Sequence, residues 1–162
     1  MAARVRAWIS LGANLGDARA AVLGASAELT ALPASRLIAQ SSLYRSAPVD
    51  ATGPDFVNAV AGIDTALSAT DLLAALQTIE QRHGRVRGER NAPRTLDLDL
   101  LLHGEAVIDT PALTLPHPRL HERAFVLLPL AEVAPDLVVP GRGAVRELLR
   151  GLGAQAIERL MP

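Results

Sequence analysis

In Pro93-Arg94-Thr95-Leu96-Asp97-Leu98-Asp99-Leu100-Leu101-Leu102, the residues Leu96, Leu98, Leu100 and Leu102 alternate with Thr95, Asp97, Asp99 and Leu101. That is the period of a β-strand with one buried face. Successive strand side chains point to opposite faces, so Asp97 and Asp99 share a face with Cα atoms roughly 6–7 Å apart. Two carboxylates on a rigid strand suit a hard cation such as Mg2+, which prefers oxygen ligands and polyphosphate co-ligands. Immediately upstream, Arg82, Arg85, Arg87, Arg90 and Arg94 face a single intervening acid, Glu89. Guanidinium groups clamp phosphate oxygens in a fixed fork. An Asp-x-Asp pair is commonly the solvated face of its strand, and an arginine run is commonly wet surface. The uncompensated cationic stretch joined directly to the acidic strand favours a metal-assisted polyphosphate site.

Upstream, Val5, Ala7, Ile9 and Leu11 alternate with Arg6, Trp8 and Ser10, predicting a first strand. Residues 12–17 are expected to turn the chain, with Asn14 or Asp17 capping a helix. The stripe Val22, Ala25, Leu29 and Leu32 is helical and stops at Pro33. A strand over 37–45 and a Pro- and Gly-punctuated loop over 47–54 follow. The next strand puts Phe56, Asn58 and Val60 on one face and Val57, Ala59, Ala61 and Ile63 on the other. Ser68 and Asp71 open a second helix with the stripe Leu72, Leu76 and Ile79, closed by Gly84. Past the acidic strand, Pro111, Pro116, Pro118, Pro129, Pro135 and Pro140 are expected to cut the chain into short pieces before a last helix over 145–149. The order strand, helix, strand, strand, helix, strand predicts an α+β, ferredoxin-like sandwich, with helices covering a mainly antiparallel sheet. One domain over 1–162 is expected.

Composition narrows the chemistry. The net charge of −1 implies no general polyanion-binding surface, so any phosphate affinity is local. There is no cysteine, which excludes disulfides, thiolate catalysis and zinc–thiolate sites. There is no lysine either, which excludes a Walker-A lysine, a protein-kinase strand lysine and a Schiff base. A nucleotide must therefore be handled by arginine and metal. The N-terminal residues lack the apolar run of a signal peptide, and no stretch approaches the ~18 apolar residues of a membrane span. A cytoplasmic protein is the expectation.

Other positions carry chemistry more weakly. Gln77 and Glu80 lie three apart on one helix face beside the arginine loop, where an amide and a carboxylate could read a base or a ribose; such pairs are commonly solvated. Phe56 and Asn58 could offer a heterocycle one stacking face and one hydrogen-bonding edge. The plainer reading is a buried Phe and an Asn satisfied by backbone. His117, set between Pro116 and Pro118 with Arg119, His121 and Arg123 nearby, could serve as a fixed phosphate donor.

The block from Arg90 to Leu101 resembles the signature of the 6-hydroxymethyl-7,8-dihydropterin pyrophosphokinases of folate biosynthesis. In the same order as in that family come Gly12-Ala-Asn-Leu-Gly, Ser42-Leu-Tyr-Arg-Ser-Ala-Pro, Phe56-Val-Asn, Gln77-Thr-Ile-Glu80, Gly84-Arg-Val-Arg87 and Leu115-Pro-His-Pro-Arg. The resemblance implies transfer of pyrophosphate from ATP to the pterin hydroxymethyl oxygen, with release of AMP. It implies that Asp97 and Asp99 hold two Mg2+ ions and that Arg85 and Arg94 serve catalysis with them. Arg85, Arg94, His117 and Arg123 would contact the triphosphate, with Arg87 nearby, and Gln77, Glu80, Leu100 and Thr114 would line the nucleotide pocket. The pterin would stack between Phe56 and Phe125, with Asn58 and Ser46, Ala47, Pro48 and Val49 reading its edge. Asp97 is the candidate acceptor of the hydroxyl proton. A monofunctional monomer binding neither nucleic acid nor membrane is implied.

Two departures from the family pattern stand out. Gly88-Glu89-Arg90-Asn91 occupies a place where the family often has an aromatic residue and a slightly longer loop, and Pro118 follows His117 where a Tyr can occur. Two rival readings use the same residues differently: a non-catalytic ferredoxin-like nucleic-acid-binding module, and a metal-dependent nuclease or phosphohydrolase. The first lacks an evident pair of sheet-surface aromatics and would set two carboxylates against a phosphate backbone.

Overall fold

The computed structural model describes residues 3–48, 53–84 and 96–161. Alternation at the N-terminal end yields β1 (Val5–Ala13). Asp17 then caps α1 (Ala18–Leu29), its side chain accepting from the Ala20 N–H at 3.0 Å. β2 (Ser35–Gln40) and β3 (Tyr44–Ser46) follow, then β4 (Phe56–Thr65). Ser68 caps α2 (Ala69–Arg82) by accepting from the Asp71 N–H at 3.0 Å, and Gly84 leaves the helix at φ +80°. The acidic strand is β5 (Asp97–His103), and the short pair β6 (Ile108–Asp109) and β7 (Thr114–Leu115) succeeds it. A 3-10 turn over Leu120–Glu122 leads into α3 (Ala124–Val133). The chain closes with the hairpin β8 (Val138–Val139) and β9 (Gly143–Ala144), then α4 (Val145–Arg150) and β10 (Ile157–Arg159).

The main sheet runs β10-β3-β4-β1-β5, with β2 also paired to β4 and every neighbour antiparallel. β1 is central because both faces of its alternation are buried. Ala7, Ile9 and Leu11 pack with Val22, Ala25 and Leu29 of α1 and Leu72, Leu76 and Ile79 of α2. On the opposite face Trp8 joins Val60, Val126, Leu127, Leu130 and Val145 under α3 and α4. Truncating a fully buried leucine such as Leu76 typically costs ~2–5 kcal/mol. The ferredoxin-like sandwich is thus present, with a further helical layer on its second face.

Four expectations are corrected. The strand expected over 37–45 is two strands, because the Ser41 hydroxyl, rather than a backbone carbonyl, accepts from the Val60 N–H and interrupts the ladder along β4 between them. Residues 12 and 13 still belong to β1, so the turn begins only at Asn14. Leu102 does not share the face of Leu98 and Leu100. The register against β1 slips between Trp8 and Ile9, and this bulge carries Leu102 into the opposite cluster. Pro129 does not break the chain but lies inside α3. An interior proline costs ~3 kcal/mol, whereas Val126, Leu127 and Leu130 are each at most 1% exposed. Burying each contributes ~1.5–3 kcal/mol, so packing wins.

Candidate active site

Sheet register brings the candidate residues together. Gly12 of β1 pairs with Asn58 of β4 on one side and Asp97 of β5 on the other. One step along, Ser10 pairs with Val60 and with Asp99. Asn58, Gly12 and Asp97 therefore form one row on one face, and the two ends are two strand spacings apart, ~9–10 Å. A side chain at position 12 would obstruct this row, since a Cβ there would lie 3.2 Å from Asn58 Oδ1 and 3.8 Å from the Phe56 ring. Both carboxylate residues are half-buried.

Three further elements converge on this face. Arg123, at the start of α3, places Nη1 4.0 Å from Asp99 Oδ2, and its guanidinium carbon lies 5.3 Å from the centre of the Phe125 ring. The segment after β7 docks on β5, with the His117 N–H donating to the Leu101 carbonyl at 2.9 Å. Burial first, then the Arg123 charge, push the His117 imidazole down to about 4, with Asp97 opposing and Arg119 assisting. Beside them is a pocket of about 270 Å³ lined by Ser46, Ala47, Pro48, Arg123 and Phe125, among others. Asn58 Nδ2 donates to Ser46 Oγ at 2.6 Å, tying β4 to the strand that carries the pocket loop.

The remaining candidates are placed differently. α2 lies across the sheet from Asp97 and Asp99, and β5 is the edge strand of the described sheet. Glu80 reaches around that edge, its buried carboxylate accepting from the Leu98 N–H at 2.8 Å. Gln77 is half-buried on the same helix and Thr114 half-buried on β7. Leu100 is 4% exposed and points into the core beneath α1 and α2, so only its backbone faces the β5 edge. Arg85, Arg87, Arg94 and Val49 lie outside the described residues.

Sequence reasoning missed Glu122, Gln155, Ala156 and Ile157, which line the same pocket. The last three arrive because β10 pairs with β3, Ile157 opposite Ser46. No local pattern announces that long-range pairing. Glu132 was missed too. It accepts from the Tyr44 hydroxyl at 2.6 Å, the Ser42 N–H at 3.0 Å and the Ser42 hydroxyl at 3.0 Å, and Arg159 lies 3.8 Å away. Burial pushes the Glu132 carboxyl up, but these three donors and the Arg159 charge together hold it below its ordinary value. The carboxylate pins α3, and with it Phe125, to β3.

Several named proteins are similar to this chain over nearly its whole length. A Pseudomonas aeruginosa protein named 2-amino-4-hydroxy-6-hydroxymethyldihydropteridine pyrophosphokinase is 49% identical over 156 residues, 96% of each chain. The Haemophilus influenzae protein of the same name is 42% identical over 98% of this chain and 99% of its own. Among solved structures, the Plasmodium falciparum HPPK-DHPS wild type with pteroate superposes with a TM-score of 0.75 at 12% identity. It covers 91% of this chain but only 44% of that one, and it bears on the fold alone. With residues 8–135 matching its family pattern, the chain belongs to the 7,8-dihydro-6-hydroxymethylpterin-pyrophosphokinase family.

Proposed function

We propose that the chain transfers pyrophosphate from ATP to the hydroxymethyl oxygen of 6-hydroxymethyl-7,8-dihydropterin, releasing AMP. One observation carries the reading: Asn58 and Asp97 flank the same residue, Gly12. A heterocycle held at the Asn58 end would extend a short substituent toward the carboxylates over a distance of ~9–10 Å. The pterin occupies the pocket beside Ser46, Ala47, Pro48 and Phe125, with Phe56 and Phe125 offering faces and Asn58 an edge. Val49, Arg85, Arg87 and Arg94 complete the two substrate sites by family likeness.

Asp97 and Asp99 fit Mg2+, since that ion is typically bound by one or two carboxylates together with substrate phosphates and water. The remaining ligands of such an ion would come from ATP and water. When bound, two such ions would neutralise phosphate oxygens and acidify the attacking hydroxyl. Asp97 accepts the hydroxyl proton as the oxygen attacks the β-phosphorus in line. Arg94, Arg123 and Arg85 stabilise the charge that develops on the departing AMP. Arg123, 4.0 Å from Asp99, stands where its guanidinium would face phosphate oxygens if Asp99 held a metal ion beside them. Glu80 supports β5 between the two aspartates and, with Gln77, Leu100 and Thr114, borders the nucleotide. His117 is neutral at pH 7 and offers one ring N–H to a phosphate.

Among the described residues no helix is long and apolar enough to cross a membrane. A cytoplasmic monomer that binds no nucleic acid completes the proposal. α3 and α4 cover much of the sheet face that a ferredoxin-like RNA-binding module would use for stacking bases. The test is incubation with ATP and Mg2+, with and without the reduced hydroxymethylpterin. AMP formation that depends on the pterin supports the reading; pterin-independent ATP hydrolysis, or no reaction, overturns it.

A further inference from the structure

We infer that Gln155 is a positioning residue for Arg123, holding the backbone on both sides of it; this rests on the phosphate-site reading of Arg123 given above. Gln155 Oε1 accepts from the Ala124 N–H at 2.9 Å, and Nε2 donates to the Glu122 carbonyl at 3.0 Å. Those two groups bracket Arg123 in the chain. The Arg123 carbonyl is held as well, accepting from the N–H groups of Val126 at 3.1 Å and Leu127 at 2.9 Å.

The bracket has a physical reason. Arg123 is the N-cap of α3, with extended backbone at φ −114° and ψ 113°, and it makes no side-chain cap hydrogen bond. The first N–H groups of a helix have no partner within it, and a short Asp, Asn, Ser or Thr at the cap ordinarily supplies one. Here the guanidinium is directed instead across Phe125 and toward Asp99. The amide of Gln155, 31 residues further along the chain, partners the first N–H of the helix, that of Ala124. That segment is itself anchored: Ile157 pairs with Ser46, and the Leu160 N–H donates to the Leu43 carbonyl at 2.8 Å. Gln155 thus fixes the direction in which the Arg123 side chain leaves the backbone.

The test is a double-mutant cycle on kcat/KM for ATP, at saturating pterin and Mg2+. Gln155→Ala is expected to lower it roughly 3- to 10-fold, the worth of two partly exposed hydrogen bonds. In an Arg123→Ala background the same change is expected to cost less than about 2-fold, because coupled residues are not additive. Gln155→Met, which keeps the side-chain volume without the hydrogen bonds, must reproduce the loss and decides the matter if Gln155→Ala fails to fold. Equal losses in both backgrounds, or no loss from either Gln155 variant while Arg123→Ala is impaired, overturn the inference alone. A fully active Arg123→Ala protein overturns the phosphate-site reading of Arg123 and this inference with it.

Discussion

The Asn58 side-chain amide donates to the Ser46 hydroxyl at 2.6 Å, and both residues are buried, at 2% and 5% exposure. The bond joins β4 to the end of β3, beside the pocket that Ser46, Ala47 and Pro48 help to line. Asn58→Ala is expected to weaken pterin binding by ~1–3 kcal/mol, roughly 5- to 150-fold, while leaving a non-hydrolysable ATP analogue nearly unaffected. Gly12→Ala should weaken pterin binding less, by pressing a methyl group on Asn58. Calorimetry with each ligand separately checks both; equal loss of the two ligands in Asn58→Ala would move the pterin elsewhere.

The carboxylates should dominate turnover. Asp97→Ala or Asp99→Ala is expected to lower it at least ~10²-fold, since metal charge stabilisation supplies several kcal/mol. Near-normal turnover of a folded Asp99→Ala protein would remove the metal assignment.

Tyr44 provides a spectroscopic test of the contact between α3 and β3. Burial first, then the hydrogen bond to Glu132 and its negative charge, raise the Tyr44 phenol from 10 to about 12, with Arg159 opposing. A raised folded-state value means stability that is fully present below pH 10 and is lost as pH climbs through about 12. The chain has one tyrosine, so the tyrosinate absorbance of the native protein reports this group alone. Tyr44→Phe should cost ~1.5–3 kcal/mol in denaturant unfolding, and most of the alkaline instability should go with it. A native tyrosine titrating near 10 would contradict the contact.

His117 behaves in the opposite sense. Its folded-state value, about 4 against an ordinary 6.5, makes its contribution complete above pH 6.5 and lost as pH falls toward 4. A neighbouring polyphosphate should raise the value again. Proton NMR of the imidazole in the free and ATP-analogue-bound protein measures both, and an unmoved midpoint on nucleotide binding would separate His117 from the phosphates.

Local alternation made much of this legible. The shared face of Asp97 and Asp99, and that of Phe56, Asn58 and Val60, follow from side-chain parity, which strand pairing preserves. Leu102 escaped because a bulge arises from the pairing of two strands and leaves no mark on either sequence. α3 escaped because Ala124-Phe-Val-Leu-Leu-Pro-Leu-Ala-Glu-Val is apolar nearly all round and contains a proline, so it shows no amphipathic stripe. Gln155 and Glu132 act across 31 and 88 residues of chain, where side-chain identity alone says nothing about the partner. The arginine stretch was conspicuous in the sequence, and Arg123, the described arginine nearest Asp99, comes from outside it.

The fate of the β-phosphorus tests the central claim most directly. With ATP labelled at that position, Mg2+ and reduced hydroxymethylpterin, the label should appear in a diphosphorylated pterin, with one AMP released for each product molecule. Label recovered in ADP or in inorganic pyrophosphate, with the pterin unmodified, would contradict pyrophosphoryl transfer at this site.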